Sequence, residues 1–333
     1  MSPEDQNKSA PPQKGARLKI FVVILFICLI ATIPLLFLKT NLKEVVASEP
    51  LILVSVPPYK KMVKSLVGNR FQVESVVPNG FDPHLYEAKP QDMKKLKDAV
   101  LWFGIGEAFE YQLLEALKGA GISVQYVNLL HEIELKGYKN LLIPFDDKHH
   151  DCSAHDHHEH TCPLVPYDRH IWLGLELDSL QAQIIVEKLT ENYPYFKSVF
   201  EGFLEELVRE HDVLIHWIET NIKDQRPITF LTPHPAFSYF AREFDVQQIS
   251  IEVAGKEPNI QDLNTLLKDL KTQHIDCVIL QPQHSKKAAE YIAKDLEVPV
   301  YSIDPYSENY LDTCNRIGMS LANKRKPVAN ATN

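Results

Sequence analysis

The longest regular pattern in the chain lies at residues 196–223, FKSVFEGFLEELVREHDVLIHWIETNIK. Apolar residues recur in it at intervals of three, four and seven positions, which places them on one face of an α-helix. The pattern predicts one amphipathic helix of about 28 residues and about 42 Å. No proline interrupts it, so we prefer this single helix to the alternative of two shorter helices broken near His211.

Short β-rich segments alternate with helical patterns on both sides of this helix. Before it, strands are predicted at 51–56, 71–77, 100–104 and 124–127, with helices such as 60–67 and 92–97 between them. After it, strands are predicted at 228–232, 247–253, 277–281 and 298–303, with helices near 236–243, 260–271 and 286–295. Alternation of this kind is typical of parallel sheets wrapped by helices.

The predicted fold is therefore α/β, with two lobes that are joined by one long α-helix. Each lobe is expected to be a mainly parallel sheet with flanking helices. We place the N-terminal lobe at residues 48–195, the linking helix at 196–224 and the C-terminal lobe at 225–323. A polar tail follows at 324–333.

The first 47 residues indicate the compartment. Residues 20–38 form an uncharged apolar run, long enough to span a hydrocarbon core of roughly 30 Å. Lysine and arginine outnumber acidic residues before this run, so we expect the chain after it to lie in the periplasm or on the extracytoplasmic face. Residues 1–47 are thus interpreted as a cytoplasmic tail with a signal or anchor segment. A cleavage site at Ala47 would lie far from the run, which favours an uncleaved membrane tether over a signal peptide that is released.

The composition is that of a globular chain, with 45% hydrophobic and 24% charged residues. Its net charge of −9 argues against a nucleic-acid surface, and no basic stripe with interleaved aromatic residues is present in the sequence. An acidic body is suited to attracting cations.

Four residues are candidate metal ligands: His84, His170, His234 and Asp304. Three of them follow predicted strands, and His170 lies in the isolated motif DRHIW at 168–172. Functional residues of open α/β sheets gather beyond the carboxyl ends of the strands. Because two candidates come from each lobe, we expect one metal ion in the cleft between the lobes.

A loop at 146–163 concentrates histidine, the side chain that borderline transition metals prefer at neutral pH. It holds six of the fourteen histidines of the chain: His149, His150, His155, His157, His158 and His160. We interpret the loop as an accessory, low-affinity metal collector; the alternative is a solvated insertion with no transport role. Cys152 and Cys162 bracket four of these histidines, and either pair as a disulfide or act as thiolate ligands.

Several motifs occur in a fixed order along the chain: GFDPHLYE at 80–87, KPQD at 89–92, AVLWFGIG at 99–106, FE at 109–110, DRHIWL at 168–173, HPAFSYFA at 234–241, EP at 257–258 and DP at 304–305. In these motifs the chain resembles the metal-binding proteins of bacterial ABC importers, cluster A-I, which deliver zinc, manganese or iron(II). The resemblance covers nearly all of the chain from about Leu51 to the carboxyl end.

The resemblance implies two α/β lobes bridged by one long helix, with a single ion held between them. Carried over by motif, the ligands are His84, His170, His234 and Asp304. It also implies an extracytoplasmic, monomeric solute-binding protein that hands its ion to an integral-membrane permease driven by a cytoplasmic ATPase. Zinc is the expected cargo, because members with a histidine-rich insertion are usually zinc carriers and because three imidazoles suit zinc.

Two alternatives keep the same fold. One is a manganese or iron(II) carrier of the same family, and the other is an adhesin-like surface protein that contains a metal. An enzyme is not expected, because a closed shell of protein ligands suits storage or delivery. The sequence also has no HExxH pair, no GxSxG elbow and no GxxxxGK[ST] phosphate loop.

Cys277 and Cys314 lie in the C-terminal lobe, in a predicted strand and in the last helical pattern. Some zinc carriers that the chain resembles have a disulfide in this lobe, which implies a bridge here. The alternative is a buried free thiol at Cys277.

Overall fold

The computed structural model describes residues 49–144, 167–252 and 256–323. The apolar run at 20–38, the histidine-rich loop at 146–163 and the tail at 324–333 lie outside the described residues. Within the described part of the chain, no helix combines the length and apolar character needed to cross a membrane.

The first lobe contains a four-stranded parallel sheet in the order β2-β1-β3-β4. Its strands are β1 (Leu51–Val54), β2 (Gln72–Ser75), β3 (Ala99–Gly104) and β4 (Tyr126–Asn128). The second lobe repeats this arrangement in the order β6-β5-β7-β8, again with every pair parallel. Its strands are β5 (Thr229–Thr232), β6 (Gln247–Ser250), β7 (Cys277–Leu280) and β8 (Val300–Ser302). The predicted parallel sheets are confirmed, with strand ends that differ by a few residues.

Helices connect the strands of each sheet. In the first lobe they are α1 (Pro58–Val67), α2 (Pro90–Asp98), α3 (Ala108–Gly119), α4 (Leu129–Leu135) and α5 (Leu175–Asn192). After α6 (Lys197–Ile222), the second lobe contributes α7 (Ser238–Glu243), α8 (Ile260–Leu270), α9 (Lys287–Asp295) and α10 (Tyr310–Ala322). Parallel strands need such crossover connections, because a tight turn cannot return the chain to the same end of the sheet.

The linking helix α6 is one continuous helix of 26 residues, so the alternative of a break near His211 is wrong. The His211 side chain is fully buried, and its two ring nitrogens lie 2.8 Å from the hydroxyls of Ser179 and Tyr310. A polar residue on the apolar face is thus satisfied by partners on both neighbouring helices. Helix α6 packs on α1 and α5 of the first lobe and on α10 of the second.

Successive side chains of a strand point to opposite faces of its sheet, and both faces are buried. Ile52 and Val54 of β1 enter the largest apolar cluster, whereas Leu53 points into a separate cluster on the other face of the sheet. In β5, Phe230 and Leu231 divide between two clusters in the same way. The largest cluster contains residues of both lobes, so the lobes share one core.

Cys277 and Cys314 are both buried in this shared core and both are free thiols. The predicted bridge between them is therefore wrong for this structure, and the alternative of a free buried thiol at Cys277 holds. Burial raises the pKa of the Cys277 thiol to about 12 and raises the pKa of Cys314 well above its ordinary value. Because the thiolate is the reactive form, we expect both buried thiols to react slowly.

Candidate metal centre

His84 lies beyond the carboxyl end of β2, in a short 3-10 turn at Pro83–Leu85. Pro83 occupies the first position of this turn, where a missing backbone N–H costs nothing. The Asp82 side chain accepts a hydrogen bond of 2.9 Å from the backbone N–H of His84. The Asp-Pro-His sequence therefore fixes the direction in which the imidazole leaves the backbone.

His170 lies directly before the 3-10 turn Ile171–Leu173 and is almost completely buried. Asp168 makes two hydrogen bonds to His170. One of its carboxylate oxygens accepts from the backbone N–H of His170 at 2.9 Å and from the ring Nδ1 of His170 at 2.7 Å. The second lobe supports this segment: the Tyr239 hydroxyl donates to the carbonyl of Asp168 at 2.8 Å. In the other direction, the Trp172 indole donates to the carbonyl of Pro305 at 2.8 Å.

His234 follows the carboxyl end of β5 and is also buried. The buried amide of Gln281, which follows β7, holds the backbone of His234 from both sides. Its oxygen accepts from the His234 N–H at 2.8 Å, and its NH₂ group donates to the His234 carbonyl at 3.0 Å. A bidentate amide contact of this kind sets the position of the residue with little freedom.

These three histidines converge on one point. Their ligand nitrogens all lie within 4.8 Å of one another, and their ring centroids are separated by 5.1–5.4 Å. The Nε2 atoms of His84 and His170 are 3.3 Å apart. A tetrahedral zinc ion with Zn–N bonds of about 2.05 Å would place two of its nitrogens about 3.3 Å apart. The spacing of this pair is therefore the spacing that the ion requires.

Each of the three imidazoles has a carboxylate at its other ring nitrogen. His84 Nδ1 lies 3.0 Å from Glu107, His170 Nδ1 lies 2.7 Å from Asp168, and His234 Nδ1 lies 3.1 Å from Glu252. A carboxylate at Nδ1 keeps the proton on that nitrogen and leaves the Nε2 lone pair free for a metal. The arrangement is a set of three carboxylate–histidine pairs whose free nitrogens face one another.

The position of Glu107 depends on two glycines, one at the end of β3 and one just after it. A Cβ atom at Gly104 would lie only 2.5 Å from the carboxylate of Glu110, so a larger residue does not fit there. Gly106 has a φ of 81°, a conformation that favours glycine. The Glu110 carboxylate accepts hydrogen bonds from the backbone N–H groups of Ile105 and Gly106. This turn delivers the Glu107 side chain to His84.

The carboxylates decide the charge of the histidines. Burial alone lowers the pKa of His84, but the adjacent Glu107 carboxylate outweighs it and raises the pKa to about 9. Although burial opposes it, the same pairing lowers the pKa of Glu107 to about 2. For His170, burial outweighs the effect of Asp168 and lowers the pKa. The raised pKa of His84 means that a metal ion has to displace a proton from this imidazole.

Asp304 was predicted to be the fourth ligand, but the structure does not bring it into this group, which contains the three histidines. One of its carboxylate oxygens accepts from the Gln283 amide at 2.8 Å and from the backbone N–H of Tyr306 at 2.9 Å. The Asp304 carboxylate thus organises the turn after β8. The sequence placed the residue correctly after its strand, and in the structure these two hydrogen bonds occupy one oxygen of its carboxylate.

Tyr306 was not predicted as a site residue, but it contacts the three-histidine cluster through His170. Its side chain is fully buried, and its hydroxyl lies 3.0 Å from Nε2 of His170. Because His170 Nδ1 donates to Asp168, Nε2 of His170 is the acceptor and the Tyr306 hydroxyl is the donor.

The accessory site predicted at His149, His150, His155, His157, His158 and His160, and the predicted pair Cys152 and Cys162, lie outside the described residues. Glu107 and Glu252 were also missed by the sequence reasoning. A usable signal existed, because Glu107 follows β3 and Glu252 follows β6, at the same edge of each sheet as the histidines.

Comparisons with known proteins show which proteins this chain is similar to. A protein of Chlamydia trachomatis that is named for metal binding is 27% identical over 279 residues, which cover 84% of this chain and 92% of that protein. The crystal structure of ZnuA superposes with a TM-score of 0.71 at 29% identity, covering 83% of this chain and 99% of the ZnuA chain. A ZnuA deletion mutant with zinc bound superposes with a TM-score of 0.69 at 28% identity, over 84% of this chain and all of that one.

The family model of ZnuA, described as the periplasmic component A of the zinc-uptake complex, matches residues 52–323. This range contains both sheets, the linking helix and all three clustered histidines. The chain therefore belongs to the ZnuA family of zinc-uptake components.

Proposed function

We propose that this protein captures a divalent transition metal and delivers it to an ABC permease for import. The expected metal is zinc. The observation that carries the proposal is the convergence of three imidazoles, whose ligand nitrogens lie within 4.8 Å of one another and whose Nδ1 atoms each face a carboxylate. The proposed ligands are His84, His170 and His234. Family membership supports transport over catalysis, although a three-histidine set by itself is also used by catalytic zinc.

Zinc is favoured by the donor atoms. Three imidazole nitrogens form the cluster, while Asp304 is held by other hydrogen bonds. Manganese and iron(II) accept more oxygen ligands and higher coordination numbers, whereas zinc accepts nitrogen-rich tetrahedral sites. The zinc-bound ZnuA structure supports the same cargo. Manganese and iron(II) remain the alternative cargo of this family.

Metal analysis tests this proposal. The full chain, purified in detergent without an affinity tag, is loaded with zinc, washed with a weak chelator and analysed for bound metal. We expect one tightly held equivalent, which is lost in His84→Ala and in His170→Ala. His216→Ala is the matched control, because His216 is an exposed histidine on α6. Full tight binding in both ligand variants would contradict the site, and preference for manganese in direct competition would contradict zinc as the cargo.

The proposed partners are a cognate permease and its cytoplasmic ATPase, and the protein is proposed to act as a monomer. We further propose that residues 20–38 tether it to the inner membrane, with the metal site on the periplasmic side. Mass determination of the mature protein tests the tether. An intact amino terminus in the membrane fraction is the expected result, and a soluble chain that begins after Ala47 would contradict it.

A further inference from the structure

A cavity of about 250 Å³ adjoins the metal centre. Two of the three proposed ligands, His84 and His234, line it, so the cavity reaches the site from the side of these two imidazoles. Its other chemically active lining residues are Asp82, Glu252, Glu257 and His284. Carboxylates concentrated around such an opening attract a divalent cation.

His284 stands out within this cavity. It follows the carboxyl end of β7, and its ring stacks on the ring of His234 with centroids 5.1 Å apart and an angle of 14° between the planes. Its Nε2 atom is buried, and among the described residues it has no hydrogen-bond partner. Nε2 of His234 is in the same condition. Buried polar atoms are normally satisfied, so two neighbouring unpaired imidazole nitrogens need an explanation.

The two nitrogens differ in their relation to the metal centre. His234 belongs to the group of three histidines whose ligand atoms lie within 4.8 Å of one another, and His284 does not. His284 is therefore next to a ligand without being part of the convergent set. An imidazole in this position can bind an ion that has entered the cavity but has not yet reached the three histidines.

We propose that the cavity is the path by which the metal enters and leaves, and that His284 is a transient ligand on this path, exchanging the ion with His234. The hydrated ion first loses water to Nε2 of His284, and then passes to Nε2 of His234 as the three-histidine site closes around it. Each step exchanges one neutral ligand of the ion for another. The inference rests on the proposed function, because it concerns the route to the same site.

The test compares the kinetics of zinc binding and release in His284→Phe and in the unaltered chain. Phenylalanine keeps a flat ring stacked on His234 but removes both ring nitrogens, so the variant separates ligation from packing. His216→Phe on α6 is the matched control. Zinc chloride is mixed in a stopped-flow instrument with each full chain in detergent, and release is followed with a chromophoric chelator.

A ligand that touches the ion only during transit lowers the barrier in both directions. We therefore expect His284→Phe to slow binding and release by at least about fivefold each, with the Kd changed less than about twofold. Wild-type rates in His284→Phe would overturn the proposal, and so would a weaker Kd caused by faster release, which marks a permanent ligand. A wild-type chain without tight zinc would contradict the proposed function itself, whereas tight wild-type binding with unchanged variant rates overturns only the role of His284.

Discussion

The Tyr306 hydroxyl competes with the metal for one nitrogen. In the structure it donates to Nε2 of His170 at 3.0 Å, and this nitrogen has a single lone pair in the plane of its ring. The lone pair can accept the hydrogen bond or bind the ion, but it cannot do both. Metal binding through His170 therefore breaks the hydrogen bond, and Tyr306→Phe removes that cost.

The size of the effect follows from the burial of the pair. Tyr306 is fully buried, and a typical intramolecular hydrogen bond contributes about 0.5–1.5 kcal/mol net. Since about 1.4 kcal/mol corresponds to a tenfold change in Kd, Tyr306→Phe should bind zinc roughly two- to tenfold more tightly. The metal-free variant should also be less stable by about 1 kcal/mol, because it lacks the hydrogen bond before metal is added.

Competition with a chelator of known affinity measures the Kd, and thermal unfolding measures the stability. Tyr310→Phe is the control, since Tyr310 is another buried tyrosine whose hydroxyl pairs with a histidine, His211, at 2.8 Å. It should lose stability without any change in Kd. Weaker zinc binding by Tyr306→Phe would refute the reasoning, because it would show that the hydroxyl supports the bound state.

Three further predictions concern the carboxylates and the pH. The pKa of His84 is raised to about 9, so below that pH a proton must leave before the ion binds. The Kd for zinc should therefore rise about tenfold for each pH unit from 8.5 down to 7, as measured by chelator competition over a pH series. Glu107→Gln should flatten this dependence of the Kd on pH. Glu252→Gln should weaken binding roughly 10- to 100-fold, because it removes the charge that orients the His234 imidazole, and wild-type affinity would contradict that role. Asp304→Asn should weaken binding less than about tenfold in the same assay, since its carboxylate is engaged elsewhere, and a larger loss would restore Asp304 as a ligand.

The fold could be predicted largely from periodicity. Strand β1 is the short apolar run LILV, strand β5 has Phe230 and Leu231 between two threonines, and the spacing of apolar residues in α6 admits only one helix face. Strand ends were less accurate, because hydrogen-bond pairing with the neighbouring strand decides where a strand stops. The strand predicted at 247–253 ends at Ser250 in the structure, although the backbone N–H groups of Ile251 and Glu252 still donate to the carbonyls of Thr232 and Pro233.

The site could be predicted in its positions but not in its side-chain directions. The rule that strand ends carry function located His84, His234 and Asp304 equally well. It did not distinguish an imidazole aimed at the cleft from a carboxylate held by Gln283 and a backbone N–H. The direction of a side chain depends on hydrogen bonds between distant segments, such as the two bonds between the Gln281 amide and the backbone of His234. A single sequence does not reveal these pairings.

The three imidazoles come from three separate segments of the chain: the turn after β2, the motif before α5 and the loop after β5. An unfolded chain holds them far apart, so the ion binds the native state and stabilises it by mass action. At a free zinc concentration one hundred times the Kd, this linkage amounts to about 2.7 kcal/mol of unfolding free energy. The loaded carrier should therefore resist proteolysis and heat better than the empty one, and the lifetime of the protein outside the cytoplasm would follow the supply of its own cargo.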